Sequence, residues 1–530
     1  MTAKRRVIAI GLDGYEQSLG AAMMRRGELP ALSRLHETSA RFLLDGGAGQ
    51  RTGLAWEHLS TGLSPEAAGR WGAVHFDPRS YGVWQEGTSL APFPSRLAAR
   101  SVVFDAPYFD LAAAPAVSGV VGWGAHDPGI GRGAQPTGLW REFESRFGAY
   151  PAEESIYGFT WPSAERCRRL GEALTEATEL RSRAARWLFG ERFPDWDMAL
   201  AVVSEPHSAT EALWHGIDAT HPLHEHPSAE AAAEGVYSVY RATDRLVGEL
   251  VDAFPDAAVV AFSMMGMGPN RADVPAMALL PELLYRHAFG RPLLRVPERW
   301  SDVGALPMLG EDEDWNHALA PLFPQNGALR LGRGVARRLR RALPHRDEGR
   351  ASVDWMPATR YLPHWRRMPA FAIPAYYDGR VRINLEGRES NGVVPRERYE
   401  ATCDEIEALL RECRDARTQE PAVEAIERYR GDPMALGPTA ADLVIVWRGT
   451  AVALDHPRLG RAGPLPFRRP GGHTGAYGMA YVSGAGIAAG DRGVRSAINV
   501  APTLVDLLGE ALPGGLSGRS LLDAGAAPPK

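Results

Sequence analysis

What this chain lacks narrows its class. Three cysteines in 530 residues, Cys167, Cys403 and Cys413, are odd in number, scattered and without CxxC spacing. They exclude a disulfide framework and a cysteine-based zinc site, and a reducing, cytoplasmic setting is the simplest expectation. Long apolar runs are missing as well. No segment approaches the ~18 uninterrupted apolar residues of a membrane span. The run Val7–Leu12 ends in the charge of Asp13 and falls short of a signal-peptide core of roughly 7–15 residues. A soluble chain without a membrane partner is expected. Nor does one sign of charge dominate: Lys+Arg 59 against Asp+Glu 64 leaves −5, so nothing draws the chain to nucleic acid. The scattered Gly-x-Gly patterns lack a following helix and a distant acid, which argues against a dinucleotide site.

What is present reads as an ordinary globular protein, 45% hydrophobic and 23% charged. At 530 residues it exceeds the size at which one core keeps growing, which implies a large domain with an insertion, or two domains. Short β-branched runs recur at Val7–Leu12, Val102–Phe104, Val120–Gly122, Met198–Val203, Ala257–Phe262, Leu443–Trp447 and Met479–Val482. Helical patterns lie between many of them: Ala31–Ser39, Ala164–Phe189, Ala229–Phe254 and Tyr399–Cys413. Apolar strands alternating with helices predict an α/β fold, a doubly wound and mostly parallel sheet covered on both faces. Ligands of such sheets bind beyond the carboxyl ends of the strands. The division expected is a core over 1–270, an inserted cap over 271–440, a closing part of the core over 441–523 and a flexible tail over 524–530. The cap is Pro- and Arg-rich, with one clear alternating strand at Gly379–Leu385 and a basic stretch at Leu329–Arg350 that either grips an anion or is a solvated face.

Several strand ends carry polar residues whose roles the sequence leaves open. Asp13 is either a helix cap or a metal ligand. Thr52, in the loop before an expected helix, is either an N-cap or a hydroxyl placed where a helix start attracts an oxyanion. His126 and Asp127, in Trp123-Gly124-Ala125-His126-Asp127-Pro128, either touch a substrate or tie a loop. At the end of Ala257–Phe262, where a ligand or base is expected, stand Met264 and Met265, read as apolar filling or the apolar wall of a ligand site.

Leu12-Asp13-Gly14, then Leu29-Pro30-Ala31-Leu32-x-x-Leu35, then Thr52 nine positions before Thr61-Gly62, resembles the alkaline phosphatase superfamily, and most closely its type I phosphodiesterase/nucleotide pyrophosphatase branch. The segments Arg382–Glu389, Asp442–Trp447, the surroundings of His473, and Asn499–Gly509 are similar to that branch in the same order, so the resemblance spans nearly the whole chain. It implies two adjacent metal ions, usually zinc, and a Thr or Ser nucleophile that forms a covalent intermediate. Asp13, Thr52 and His473 stand where the first Asp, the nucleophile and the late His belong. The Asp-x-x-x-His element aligns with His207-Ser208-Ala209-Thr210-Glu211, and the Ser-Asp-His-Gly element with Ser263-Met264-Met265-Gly266, so the ligands of one metal are gone.

His207 and Glu211, four apart at a helix start, share a face. With His473 they make a set suited to one zinc, with Asp13 as a further ligand; a hydrogen-bonded His–Glu tie is the plainer alternative. His215 lies one turn further on the same face, and Asp273 is a spare oxygen donor. Arg51, Trp56, Met264, Met265, Asn270 and His126 are the candidate substrate contacts. The expectation is a hydrolase or transferase acting on a small-molecule phosphate or sulfate ester, with Thr52 and Asp13 catalytic and at most one divalent metal, zinc or none. Two other readings fit the same residues: an inactive binding or regulatory protein, and an enzyme turned to metal-independent chemistry on a biosynthetic intermediate.

Overall fold

The structure is a computed structural model and describes residues 6–49, 51–88, 90–125, 131–153, 163–302, 304–310, 313–324 and 350–523. Most of the basic stretch 329–350, His126 and Asp127, and the tail from Ala524 lie outside the described residues. No helix among the described residues is long and apolar enough to cross a membrane.

Nine strands form the central sheet: β1 (Arg6–Leu12), β2 (Ala40–Asp45), β3 (Ser101–Phe104), β4 (Ser118–Val121), β5 (Gly133–Gln135), β6 (Met198–Val203), β7 (Ala257–Ser263), β8 (Gly478–Ser483) and β9 (Gly490–Ser496), in the order β9-β2-β8-β7-β1-β6-β3-β4-β5. Five neighbour pairs are parallel; β8, wedged between β2 and β7, and β5 at the edge run antiparallel. The fully apolar strands are the central ones because both faces are covered. Ile8, Ile10 and Leu12 point into a core with the helices Pro30–Thr38, Ala164–Arg186 and Ala229–Ala253. Val7 and Ala9 point the other way, against the helices Ala55–Thr61 and Val500–Leu508. The doubly wound, mostly parallel sheet expected from the sequence is therefore the observed architecture.

One strand falls elsewhere. Leu443–Trp447 is not part of the central sheet but pairs with Gly379–Ile383 and Val423–Arg428 in a four-stranded antiparallel sheet whose far edge is Ala370–Ile373. The alternation of Gly379–Ile383 is also misleading, since all five residues are buried, Arg380 and Arg382 included. Ion pairs make this tolerable: Arg380 Nε lies 2.9 Å from Asp378 Oδ1 and Arg382 Nε 2.9 Å from Glu389 Oε1. Arg380 Nη2 also donates to the Arg51 carbonyl at 3.2 Å, which ties this sheet to the loop carrying Thr52.

A second buried network fixes the start of the helix Glu205–Leu213. The fully buried Arg181 donates from Nη1 to Asp105 Oδ2 at 2.7 Å and to the Val202 carbonyl at 3.0 Å, and from Nε to Glu205 Oε2 at 2.9 Å. Tyr150 donates its hydroxyl to Glu205 at 3.0 Å, and the Trp123 and Gly124 amides donate to Asp105 at 2.8 Å. One guanidinium thus compensates two carboxylates at the carboxyl ends of β3 and β6. Replacing it in Arg181→Met leaves both anions buried and is expected to lower the free energy of unfolding by about 3–5 kcal/mol, measured by chemical denaturation.

Candidate functional site

The β1–β6 ladder continues one residue past β1, with the Asp13 amide donating to the Val203 carbonyl at 2.9 Å. Next to it the chain must turn sharply while the helix Glu205–Leu213 passes close by. Gly14 has φ +59°, and a Cβ there would lie 2.4 Å from His207 Cα. The strand Gly471–Gly475 approaches the same helix as closely, since a Cβ on Gly471 would sit 2.0 Å from the Thr210 carbonyl oxygen. These two glycines bring Asp13, His207, Glu211 and His473 to one point.

There, His207 Nδ1 meets Asp13 Oδ2 at 2.9 Å, and Trp56 Nε1 donates to Asp13 Oδ1 at 2.8 Å. His207 Nε2 faces Glu211 Oε1 at 3.0 Å and His473 Nε2 at 2.8 Å. Burial opposes ionisation of Asp13, but the charge and hydrogen bond of His207 outweigh it and hold the carboxyl below its ordinary range. Burial likewise opposes the His207 cation, yet Asp13 and then Glu211 raise its pKa to about 10. His473, desolvated and beside that cation, is pushed down to about 3. The proton between the two imidazoles therefore belongs to His207. The Nδ1 of His473 has no hydrogen-bond partner among the described residues, and its ring meets Tyr377 edge-on at 4.7 Å.

Two arginines that the sequence reading passed over complete the cluster. Arg469 pairs with Glu211 and places Nε 2.8 Å from Asp273 Oδ2; Arg468 Nη1 reaches the same oxygen at 2.9 Å. Three carboxylates, Asp13, Glu211 and Asp273, thus face three cationic groups, His207, Arg468 and Arg469. The signal was available in Arg468-Arg469-Pro470-Gly471-Gly472-His473, two cations a few residues before a ligand candidate.

The remaining candidates separate. Trp56, Met264 and Met265 line a cavity of about 760 Å³ together with Asp13, His207 and His473. Phe262 pairs with Gly11 across β7 and β1, so Met264 emerges level with Asp13, and Ser263 Oγ donates to the Met265 carbonyl at 3.0 Å to fix the turn. Thr52 is buried and does not line this cavity; its neighbour Gly53 does, while Thr52 and Arg51 lie on a separate, smaller recess. Its hydroxyl donates to the Gly49 carbonyl at 2.8 Å, accepts from the Leu54 amide at 3.1 Å and lies 3.3 Å from His58 Nε2. Because His58 Nδ1 faces the Leu63 carbonyl at 3.1 Å, Nδ1 carries the hydrogen and Nε2 presents a lone pair to Thr52. Burial lowers the His58 pKa to about 4, so this base stays neutral.

Arg51 is not turned to a ligand but paired with Glu427. Asn270 braces a turn instead of lining the cavity: it donates to the Gly471 carbonyl at 3.1 Å and accepts from the Asp273 amide at 2.9 Å. His215 points away too, with Nε2 3.0 Å from Ser228 Oγ. Asp273, the spare oxygen donor, is taken by the arginines.

No family model and no curated protein matches the chain. Among solved structures it is similar to phosphonoacetate hydrolase from Sinorhizobium meliloti 1021 in complex with phosphonoformate, at 14% identity over 95% of this chain and 96% of that one, with a TM-score of 0.48. It is also similar to an inactive form of murine ectonucleotide pyrophosphatase/phosphodiesterase 5 in complex with AMP, at 9% identity over 96% of each chain, with a TM-score of 0.44. Values this low leave function to the chain's own residues.

The raised pKa of His207 has a sign that can be checked. A histidine at 6.5 when unfolded and about 10 when folded adds stability that is complete below pH 6.5 and is lost as pH rises to 10. In chelator-treated protein the melting temperature is expected to fall across that window, and the fall attributable to this group to vanish in His207→Gln.

Proposed function

We propose that the chain is a hydrolase or transferase of small-molecule phosphate or sulfate esters, with Thr52 as nucleophile and at most one divalent metal. The observation that carries the reading is the convergence of His207, Glu211 and His473, whose donor atoms lie within 4.8 Å of one another beside a cavity lined by Gly53, the residue after Thr52. Two imidazoles and a carboxylate fit zinc, and the Asp13 carboxylate on the far nitrogen of His207 is the support such a ligand needs. A second divalent ion does not fit, because Met264 and Met265 offer only thioethers, poor donors to zinc or magnesium. When bound, the single ion would supply positive charge opposite the charge that builds on the ester oxygens.

The protein's own groups do the rest. For attack, the Thr52 hydroxyl gives up its bond to the Gly49 carbonyl and passes its proton to His58 Nε2 as Oγ bonds to phosphorus or sulfur. The leaving oxygen departs, and water or a bound acceptor then releases the product from Thr52. Asp13 holds His207 in position throughout, and the apolar side chains of Met264, Met265 and Trp56 keep bulk water from the reacting centre. With a divalent ion held by His207, Glu211 and His473 in place of the proton on His207, the cluster would carry one positive charge in excess. That charge suits a monoanionic ester, a phosphodiester or a sulfate monoester, better than a dianionic phosphate.

The balanced charges of the cluster favour one second reading, in which no metal takes part and protonated His207 serves as the acid. Elemental analysis of protein purified without chelator separates the two: about one zinc per chain is expected, lost in His473→Ala and released as pH falls. Turnover of an aryl phosphodiester or aryl sulfate should drop to background in Thr52→Ala and fall steeply in His58→Ala while metal content is kept. Unchanged turnover in Thr52→Ala would refute the nucleophile. Full activity of metal-free protein would select the second reading.

A further inference from the structure

The cavity beside the cluster says more about the ligand than the cluster does. The core contributes Trp56, Tyr108, Met264 and Met265 to its wall, and the segment from Arg350 to Tyr377 contributes Trp355, Tyr376 and Tyr377. The aromatic residues form a continuous surface: Trp355 and Tyr376 have ring centroids 6.3 Å apart, Tyr376 and Tyr377 6.2 Å. Ring faces and thioethers are the surfaces on which flat apolar groups settle.

Several polar groups of this wall are spent on one another, although Asn316, Arg350 and Ser352 line it as well. Gln85 donates to the Tyr108 hydroxyl at 3.1 Å and accepts from the Tyr376 hydroxyl at 2.5 Å, which uses both ends of its amide. Asp13 is held by Trp56 and His207, and Arg469 by Asp273 and Glu211. Against the face made by Trp355, Tyr376 and the methionines, a nucleobase or sugar, whose edges need several partners, would leave its own donors and acceptors unmatched. Arg468 is also paired with Asp273, and its guanidinium lies 4.7 Å above the Trp355 ring, where cationic charge and an aromatic face meet. A volume of about 760 Å³ accommodates a ring system of two or three fused rings with its ester group.

From this arrangement, and resting on the ester-cleaving reading above, we infer that the substrate is an amphiphilic ester: an anionic phosphoryl or sulfuryl group at the His207 and Arg468 end, joined to a planar, largely apolar polycyclic group that lies against Trp355, Tyr376 and the two methionines. Nucleotides and small alkyl esters are excluded as preferred substrates.

The test uses binding rather than turnover. Methyl(2-naphthyl)phosphinate, a monoanion whose two P–C bonds leave no ester to cleave, is titrated calorimetrically into the full chain beside dimethylphosphinate and AMP. The naphthyl compound is expected to bind at least about tenfold more tightly than either, a modest share of what burying two rings supplies. Quenching of tryptophan fluorescence should accompany it. Trp355→Ala should remove most of the preference and Trp355→Phe restore it. If AMP binds as tightly as the naphthyl ligand, or the methyl ligand does, the inference is overturned, and this comparison needs no variant. Naphthyl preference together with no Thr52-dependent turnover would sink the reaction while sparing the ligand class. Thr52-dependent turnover without naphthyl preference would do the reverse.

Discussion

The contact between Asp13 and His207 is the constraint around which the rest of the site is arranged. It joins the end of the central strand to the third residue of the helix Glu205–Leu213, and it exists only because Gly14 lets that helix approach. Once His207 is held by one nitrogen, its other nitrogen has a fixed direction, and Glu211 and His473 are defined by meeting it. The helix cannot retreat from this contact, because Glu205 at its first turn is clamped by Arg181 to the ends of two neighbouring strands. Stability and site geometry are therefore one problem in this part of the chain.

Electrostatics then decides what such a cluster can do. Buried charges persist only when compensated, and here compensation comes from Arg468 and Arg469 as well as from the shared proton on His207. The same groups stand on both sides of the choice between a proton and a cation. The apolar wall adjoining them sharpens this choice, since a dry boundary strengthens each pairwise interaction and penalises any unmatched charge.

Much of the fold was legible because buried parallel strands and amphipathic helices leave strong periodic signals. Val7–Leu12 and Met198–Val203 could hardly be read otherwise, and both lie at the centre of the sheet. Leu443–Trp447 misled because a short apolar run carries no information about which sheet it joins. Arg380 and Arg382 misled because burial through ion pairs imitates a solvated face. In the site, the pairing of His207 with Glu211 was legible from residue type and helical spacing, whereas His473 entered through the family resemblance. Asn270 was not, since an amide that braces a turn and one that binds a ligand are the same residue in a sequence. Arg468 and Arg469 escaped notice because their importance lies in a partner distant along the chain: Asp273 is nearly two hundred residues from the arginines it holds. His58 escaped although Thr52 is only six residues away, because a histidine within a helix gives no sign in the sequence of the side to which its ring turns.

The Met264–Met265 turn bears on which substitutions the site can accept. Placing an aspartate and a histidine at these two positions would not make a two-ion site, because a new carboxylate would enter beside a cluster whose charges Arg468 and Arg469 already balance. The arginines would have to change with the methionines, and each change made alone passes through a state with an uncompensated buried charge. The two apolar residues and the two cations therefore constrain one another, and no single substitution at this turn converts the site into one for two ions.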